Sequence, residues 1–269
     1  MSTSNINQHL LSEAKAFLLD MDGTFYLGDS LLPGASELLE HLNHHGLPFS
    51  FLTNNSSRSK KDYVNKLTEL GVRERDARVF TAGDATIAYL KKHHSGSKVF
   101  LLGTPSLAES FRGSGIAISE SDPDLVVIGY DTTLTYARLS AFCYFVRKGL
   151  PYIATHPDVN CPSPEGPVPD IGAMMSLVEA STGRKADVVI GKPNPGIVIA
   201  LAEEWGLEPK EMVMVGDRLY TDIALGKTAG IRTVLVLSGE TKLEDLASTI
   251  YQPDLVCNNL AELASYLIT

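Results

Sequence analysis

The feature that most constrains the fold is the apolar run Ala16-Phe17-Leu18-Leu19, which leads directly into Asp20-Met21-Asp22-Gly23-Thr24. A short apolar run that ends in a glycine-containing turn is typical of a buried strand. In open α/β sheets, ligands bind at the carboxyl ends of such strands. Side chains two positions apart on an extended segment point the same way, so we expect Asp20 and Asp22 to face one substrate. Two carboxylates this close repel each other, which favours a bound cation. The alternative is a solvated turn, because Asp and Gly are common turn residues.

Three further apolar runs end in groups that phosphoryl chemistry needs. Residues 47–52 lead into Thr53-Asn54-Asn55-Ser56, which supplies a hydroxyl and amides. Residues 187–191 lead into Lys192, and residues 211–215 lead into Gly216-Asp217, with Asp222 five positions later. A doubly wound parallel sheet gathers strand ends along one edge, so these groups are predicted to converge on a metal-assisted phosphoryl-transfer site.

With these four segments in this order, the sequence resembles the haloacid dehalogenase superfamily of phosphohydrolases. The carboxylate at position 22 marks the phosphatase branch of that superfamily. Within it, the sequence is similar to the NagD-like or p-nitrophenyl phosphatase branch (subfamily IIA), which carries a type-2 cap. The resemblance spans nearly the whole chain. The positions that match the family's functional residues are Asp20, Asp22, Thr53, Lys192, Asp217 and Asp222.

This resemblance implies a Mg²⁺-dependent phosphomonoester hydrolase that works through an aspartyl phosphate. Asp20 would be the nucleophile, and Asp22 the general acid and base. The implied metal residues are Asp20, Asp22 through its backbone carbonyl, Asp217, and Asp222 as an outer or alternate ligand. The implied phosphate-binding residues are Thr53, Asn54, Asn55 and Lys192, of which Thr53 and Lys192 also count as catalytic.

Several of these residues also have an ordinary structural interpretation. Taken alone, Lys192 reads as a solvated loop lysine. Asn54 and Asn55 can satisfy backbone groups of a turn instead of contacting phosphate. Asp222 can serve as an acidic residue at a helix N-terminus, a role that is compatible with metal ligation.

The spacing of the four segments predicts two domains. The fold class is α/β, with a Rossmann-like, doubly wound parallel sheet formed by residues 1–81 and 187–269. Residues 82–186 alternate strand and helix themselves. Thr104-Pro105 opens one of these helices and Gly183 closes another. An insert of this size is too large for a loop, so it is predicted to be a smaller α/β cap domain.

Composition excludes some partners. The formal net charge is −9, and the chain has no Lys/Arg-rich stretch, which argues against nucleic acid. Phosphate binding then depends on local cations, here Lys192 and a metal, because charges beyond about 8–10 Å are screened. The three cysteines are far apart and are expected to be reduced thiols. With no long apolar run and no basic leader, a cytoplasmic protein without a membrane partner is expected; a homo-oligomer stays open.

The substrate is expected to be a small-molecule phosphate ester chosen by the inserted domain. Sugar phosphates, nucleoside monophosphates, pyridoxal phosphate and other small metabolites stay open, and activity on p-nitrophenyl phosphate is expected. Residues 156–173 are the expected specificity loop, in which His156 stands where similar sequences often have asparagine. A lone loop histidine is usually exposed. Two alternatives remain: a phosphotransferase, and a non-catalytic sensor that binds a phosphorylated metabolite.

Overall fold

The computed structural model describes residues 11–267 except 162 and 164. The chain divides into two compact units. The first unit comprises Met1–Leu52, Val64–Val79 and Lys192–Thr269, and the second unit comprises Thr53–Tyr63 and Phe80–Gly191. The predicted assignment of residues 1–81 and 187–269 to a catalytic core and of 82–186 to a cap remains a proposal.

Short strands alternate with helices along the described chain. The strands are β1 (Ala16–Asp20), β2 (Tyr26–Leu27), β3 (Ser30–Leu31), β4 (Phe49–Thr53), β5 (Val79–Thr81), β6 (Lys98–Leu102), β7 (Ala117–Ile118), β8 (Leu125–Ile128), β9 (Tyr152–Ala154), β10 (Asn160–Cys161), β11 (Val168–Pro169), β12 (Val188–Val189), β13 (Met212–Gly216), β14 (Arg232–Val236) and β15 (Leu255–Cys257). The α-helices are α1 (Ala35–His44), α2 (Lys60–Glu69), α3 (Ala82–His93), α4 (Pro105–Gly113), α5 (Tyr136–Arg147), α6 (Ile171–Thr182), α7 (Gly196–Trp205), α8 (Ala224–Ala229) and α9 (Leu260–Leu267).

The larger sheet has six strands in the order β15-β14-β13-β1-β4-β5. Strand β1 lies between β13 and β4 and runs parallel to both. Its residues Ala16–Leu19 are fully buried, as the continuous apolar run requires of a strand that is covered on both faces. Because the strands are parallel, the carboxyl ends of β1 and β13 lie at the same sheet edge. The predicted α/β fold with a Rossmann-like parallel sheet is confirmed.

The second unit has its own parallel sheet, in the order β12-β9-β8-β6-β7. Helices pack on this sheet through an apolar cluster that includes Phe100, Phe142 and Tyr152. Helix α4 begins after Thr104, whose hydroxyl accepts a hydrogen bond from the backbone N–H of Leu107 at 3.2 Å. This cap agrees with the sequence prediction, and the layered packing explains why the segment forms a compact unit.

Two features differ from the sequence prediction. Strand β12, which leads to Lys192, was expected in the same sheet as Asp20 but pairs with β9 of the second unit. The prediction also missed helix α3, whose N-terminus carries a reciprocal capping box between Thr81 and Asp84. The glycine in its first turn weakens the intrinsic helix signal, and packing decides the outcome. Among the described residues, no helix is long and apolar enough to cross a membrane.

The central position of β1 predicts a large cost for shortening Leu18, which is fully buried. We expect Leu18→Ala to lower the free energy of unfolding by about 2–5 kcal/mol, because lost apolar contacts and a residual cavity both destabilise. The matched control is Ile250→Ala, because Ile250 is 85% exposed and the change should stay within about 0.5 kcal/mol. Urea unfolding monitored by circular dichroism measures the free energy of unfolding of both variants. An equal decrease in the two variants would contradict the central placement of β1.

Candidate active site

A buried lysine joins the predicted nucleophile Asp20 to Asp222, a predicted metal residue. Asp20 is the last residue of β1, and its Oδ1 accepts a hydrogen bond from the Nζ of Lys192. The same ammonium donates to Oδ1 of Asp222 at 2.7 Å. Lys192 is 4% exposed and Asp222 is fully buried, so these ion pairs are shielded from water. The interpretation of Lys192 as a solvated loop lysine is therefore wrong.

Asp217 lies immediately after β13, the strand next to β1. Its Oδ1 accepts a hydrogen bond from the hydroxyl of Thr24 at 3.2 Å, and its Oδ2 accepts one from the backbone N–H of Glu240 at 2.7 Å. The backbone N–H of Thr241 also donates to the carbonyl oxygen of Asp217, at 3.2 Å. These bonds fix the direction in which the Asp217 carboxylate points.

The three carboxylates of Asp20, Asp217 and Asp222 form an acidic cluster. One oxygen atom from each lies within 4.8 Å of the others, and all three residues are buried. The three carboxyl groups outnumber the single ammonium of Lys192, so the cluster is rich in acidic groups. Hard carboxylate oxygens are the ligands that Mg²⁺ and Ca²⁺ prefer. The donor set therefore fits a divalent cation.

Electrostatic crowding is visible in the pKa values of this cluster. Burial, with the added charge of Asp20 and Asp222, raises the pKa of Asp217 well above its usual value. Burial also raises the pKa of Asp222 to about 6, although Lys192 opposes this rise. Burial alone would lower the pKa of Lys192, but the charges of Asp20 and Asp222 raise it above the ordinary lysine value. Lys192 is thus held in its protonated form, and the acidic groups around it are more numerous than this one ammonium.

Asp22 is only partly buried and lies two residues after the end of β1, directly before the turn at residues 23–25. The hydroxyl of Tyr26 donates a hydrogen bond to its Oδ2 at 3.3 Å, and the ammonium of Lys66 lies 4.1 Å from the centre of the Tyr26 ring. Burial and the neighbouring charge of Asp20 raise the pKa of Asp22, while Lys66, Arg218 and Tyr26 act in the opposite direction. A carboxyl group with a raised pKa is suited to proton transfer.

Two glycines leave room for the acidic side chains. A Cβ at Gly216 would lie 2.3 Å from the Cβ of Asp222, and one at Gly239 would lie 1.9 Å from Oδ2 of Asp217. Both distances are far inside van der Waals contact. Only glycine at these two positions lets the backbone approach the carboxylates this closely.

The predicted phosphate-binding segment lies at the start of the second unit. Thr53 is the last residue of β4, and its Oγ1 accepts a hydrogen bond from the backbone N–H of Asn55 at 3.1 Å. The Asn55 side chain accepts from the backbone N–H of Ser57 at 2.9 Å, which is the turn-stabilising role expected as an alternative. The amide nitrogen of Asn54 donates to Oδ1 of Asp158 at 2.9 Å.

His156, expected to be exposed, is fully buried in the second unit. Its Nε2 lies 3.1 Å from Oδ1 of Asp170, and its Nδ1 lies 3.0 Å from the hydroxyl of Thr155. The expectation of an exposed histidine is wrong because the histidine has a polar partner for each ring nitrogen. The residue therefore holds the two ends of the 156–173 loop together.

Sequence reasoning did not assign three residues that border the acidic cluster. Thr24 lies inside the first motif, and Arg218 and Glu240 pair with each other, with 3.0 Å between Nε and Oε2. Thr24 could have been found from its position in the turn after β1. Glu240 lies beyond β14, which is the neighbour of β13, so the sheet edge brings it close although no motif marks it.

Comparison with known proteins agrees with the geometry. A family model described as haloacid dehalogenase-like hydrolase matches residues 17–117, and a second, described as HAD-hydrolase-like, matches residues 189–263. An acid sugar phosphatase of Staphylococcus aureus (strain USA300) is 35% identical over 258 residues, covering 96% of this chain and 99% of the relative.

Solved structures give the same result. A 4-nitrophenylphosphatase from Thermotoga maritima is 53% identical with a TM-score of 0.91, covering 96% of this chain and 98% of the other. A glycerol phosphate phosphatase from Mycobacterium tuberculosis, in complex with calcium, is 27% identical with a TM-score of 0.84, covering 94% of this chain and 76% of the other. The chain belongs to the haloacid dehalogenase-like hydrolases and is a phosphatase of the NagD-like, p-nitrophenyl phosphatase branch.

The close approach at Gly216 predicts that Gly216→Ala displaces the Asp222 carboxylate and with it Lys192. We expect the variant to lose about 10²-fold in kcat on p-nitrophenyl phosphate, because misplacement by about 1 Å is enough for such a loss. The control is Gly113→Ala in α4, where a Cβ would have no neighbour within 4 Å and activity should be unchanged. Unchanged kcat in Gly216→Ala, with the fold intact by circular dichroism, would contradict the packing role of Gly216.

Proposed function

We propose that this phosphatase is a Mg²⁺-dependent phosphomonoester hydrolase that forms an aspartyl phosphate on Asp20. The observation that carries the proposal is the ion pair between Lys192 and Asp20 inside the buried acidic cluster. One carboxylate is enough to pair with a lysine in a protein core. Lys192 instead contacts two, those of Asp20 and Asp222, and the carboxylate of Asp217 lies beside them. Burial of so many like charges is unfavourable unless a charged ligand compensates them.

Asp20 is proposed to attack the phosphorus atom. Lys192 holds Oδ1 of Asp20, so Oδ2 is the atom proposed to form the bond to phosphorus. The bond from phosphorus to the leaving oxygen breaks in the same step, and water later hydrolyses the aspartyl phosphate to release free phosphate. Covalent catalysis replaces one difficult displacement with two easier ones.

Asp22 is proposed as the general acid and base. In the first step its carboxyl group protonates the departing alkoxide, and in the second it accepts a proton from the attacking water. The raised pKa of Asp22 supports the first role, because burial and the charge of Asp20 favour the protonated carboxyl group. The hydroxyl of Tyr26, 3.3 Å from Oδ2, directs the carboxyl group.

Thr53, Asn54, Asn55 and Lys192 are proposed to bind the phosphoryl group. The hydroxyl of Thr53 donates to a non-bridging oxygen, and the amides that follow it extend this donor set. Lys192 offsets negative charge on the phosphoryl group and on Asp20. Because transition-state charge is spread over the phosphoryl oxygens, positioned donors carry most of the catalysis.

Asp20, Asp217 and Asp222, with the backbone carbonyl of Asp22, are proposed to hold the divalent metal. Bound Mg²⁺ would supply positive charge that offsets the charge of the phosphate and of the nucleophilic carboxylate. The carboxylate donor set supports this assignment, as does the calcium complex of the similar phosphatase from M. tuberculosis.

Small phosphorylated metabolites are the proposed substrates, with sugar phosphates and nucleoside monophosphates as the classes to test. The similarity to an acid sugar phosphatase favours the sugar phosphates. The similarity to a 4-nitrophenylphosphatase supports p-nitrophenyl phosphate as an artificial substrate. The four motifs recognise only the phosphoryl group, so the rest of the substrate must be read by other residues.

A phosphate-release assay tests the metal and the substrate class together. With Mg²⁺ present, we expect free phosphate from sugar phosphates and p-nitrophenyl phosphate, and a loss of at least about 10²-fold when a chelator is added, because Asp20 and an anionic substrate repel. Re-addition of Mg²⁺ should restore the rate. Full activity in chelator would overturn the metal assignment. Transfer of phosphate to a sugar hydroxyl without free phosphate would indicate a phosphotransferase.

Leaving-group chemistry separates the two aspartates. We expect Asp22→Asn to slow the first step on an alkyl phosphate by about 10²–10⁴-fold, because an alkoxide leaves badly without a proton. Nitrophenolate is already stable, so the first step on p-nitrophenyl phosphate should suffer far less. Hydrolysis of the aspartyl phosphate lacks its base with both substrates, so a phosphate adduct should accumulate, and p-nitrophenyl phosphate should give a burst of nitrophenol. Rapid-quench kinetics and intact-mass analysis measure these quantities.

Asp20→Asn is the control for that experiment. It removes the nucleophile with little change in shape, so neither a burst nor an adduct should form. Equal slowing of the first step on both substrates by Asp22→Asn, without an adduct, would show that Asp22 serves the metal site and not proton transfer. Retention of a tenth of wild-type turnover by Asp20→Asn would show that Asp20 is not the nucleophile.

A further inference from the structure

A buried polar network in the second unit surrounds the segment that follows Thr53. Its side chains come from three places in the sequence: the loop after β4, the segment after β9 and the start of α6. Each is at most 5% exposed, so each hydrogen bond forms away from water. The members are Asn54, Ser56, Thr155, His156, Asp158 and Asp170.

One branch of the network is a chain of hydrogen bonds with a defined direction. The backbone N–H of Tyr130 donates to Oγ of Ser56 at 2.9 Å, and that oxygen lies 3.0 Å from the hydroxyl oxygen of Thr155. The Thr155 hydroxyl lies 3.0 Å from Nδ1 of His156, whose Nε2 lies 3.1 Å from Asp170.

The Asp170 carboxylate fixes the polarity of this chain because it can only accept. Nε2 of His156 must then carry a hydrogen, and in the tautomer that carries it there alone, Nδ1 accepts from the Thr155 hydroxyl. Thr155 in turn accepts from Ser56. With this single assignment, every donor along the branch has an acceptor.

The second branch reaches the same loop through Asp158. Asp170 also caps helix α6, since its Oδ1 accepts from the backbone N–H of Ile171 at 2.6 Å. One residue further on, the backbone N–H of Gly172 donates to the carbonyl oxygen of Asp158 at 2.7 Å. The Asp158 side chain then accepts from the amide of Asn54 at 2.9 Å. His156 and Asp170 thus connect to the loop after β4 by two separate routes.

Two glycines show how closely this network is packed. A Cβ at Gly172 would lie 2.5 Å from the carbonyl oxygen of Pro157, and one at Gly191 would lie 2.6 Å from Oδ1 of Asn54. Gly191 directly precedes Lys192 in the sequence. Backbone on both sides of the network therefore limits how far the Asn54 side chain can move.

We infer that His156 and Asp170 are positioning residues for the phosphate-binding loop 53–56, an inference that rests on the proposed phosphate-binding role of Thr53 and Asn54. The inferred role requires no direct contact of the pair with the phosphate or the leaving group. It acts through Thr155 on Ser56 and through Asp158 on Asn54. Donors that bind a phosphoryl group must be held to about 0.5 Å, and fully satisfied buried networks provide such rigidity.

Residues that position the phosphate-binding loop and residues that recognise the leaving group differ in the effect of their loss. Loss of the His156–Asp170 pair should weaken binding of every substrate equally, because the phosphoryl group is common to all of them. It should also weaken binding of inorganic phosphate, which has no leaving group. The effect should fall on KM and on the inhibition constant of phosphate more than on kcat, because Asp20, Asp22 and Lys192 keep their contacts.

His156→Phe tests the inference, since the ring volume is kept and both polar contacts are lost. We expect KM for p-nitrophenyl phosphate and for a sugar phosphate, and the inhibition constant of inorganic phosphate, to rise together by about tenfold, the size expected for one lost buried hydrogen bond. His156→Gln keeps a donor for Asp170 and should recover part of this loss. If His156→Phe does not fold, Thr155→Val serves in its place. It breaks only the first branch and should raise KM and the inhibition constant of phosphate in the same way.

Arg184→Leu is the matched control for general destabilisation of the second unit. Arg184 donates to the carbonyl oxygens of Val146 and Leu150 at 2.8 and 3.0 Å, and these contacts do not involve the network. Only variants that circular dichroism shows to be folded under the assay conditions are compared. The inference would be overturned if the inhibition constant of phosphate were unchanged in His156→Phe or Thr155→Val. It would also be overturned if KM and this inhibition constant rose equally in Arg184→Leu, or if KM rose for one substrate only. Wild-type protein that releases no phosphate would instead refute the proposed function.

Discussion

The arrangement of the site depends on one electrostatic contact, the bifurcated ion pair from Lys192 to Asp20 and Asp222. Taking a lysine ammonium and several carboxylates out of water is costly, and the cost is recovered only where opposite charges meet at close range. Without this lysine, the ends of β1 and β13 would place like charges side by side in a buried environment. The contact therefore lets the sheet edge carry an acidic cluster and still fold.

Much of this arrangement follows from the sequence because it depends on short-range rules. The apolar run before Asp20 predicts a buried strand, and parallel strands align their carboxyl ends, which brings Asp20 and Asp217 to one edge. Thr104 and Gly183 set helix boundaries through local capping, and both are where the sequence places them. These features need no knowledge of distant contacts.

Other features depend on tertiary packing and could not be predicted in this way. Strand β12 is two residues long, and its pairing with β9 depends on residues far away in the sequence, which local patterns do not reveal. The burial of His156 depends on Asp170, which lies fourteen positions away and is brought near by the turn into α6. Likewise, nothing in the sequence marks Glu240 as a neighbour of Asp217, because their contact arises from the order of β13 and β14 in the sheet.

The points where the chain passes between the two units have a consequence for engineering and for evolution. Chain crossings between compact units usually fall in exposed linkers with few contacts. Here two of them fall between Leu52 and Thr53 and between Gly191 and Lys192, next to side chains that are 6% and 4% exposed. A chimera that exchanges the second unit with a relative must therefore be spliced inside two of the motifs that carry the proposed site residues. Recombination at these junctions is constrained, so the second unit is expected to diversify by substitution within the unit more readily than by wholesale exchange.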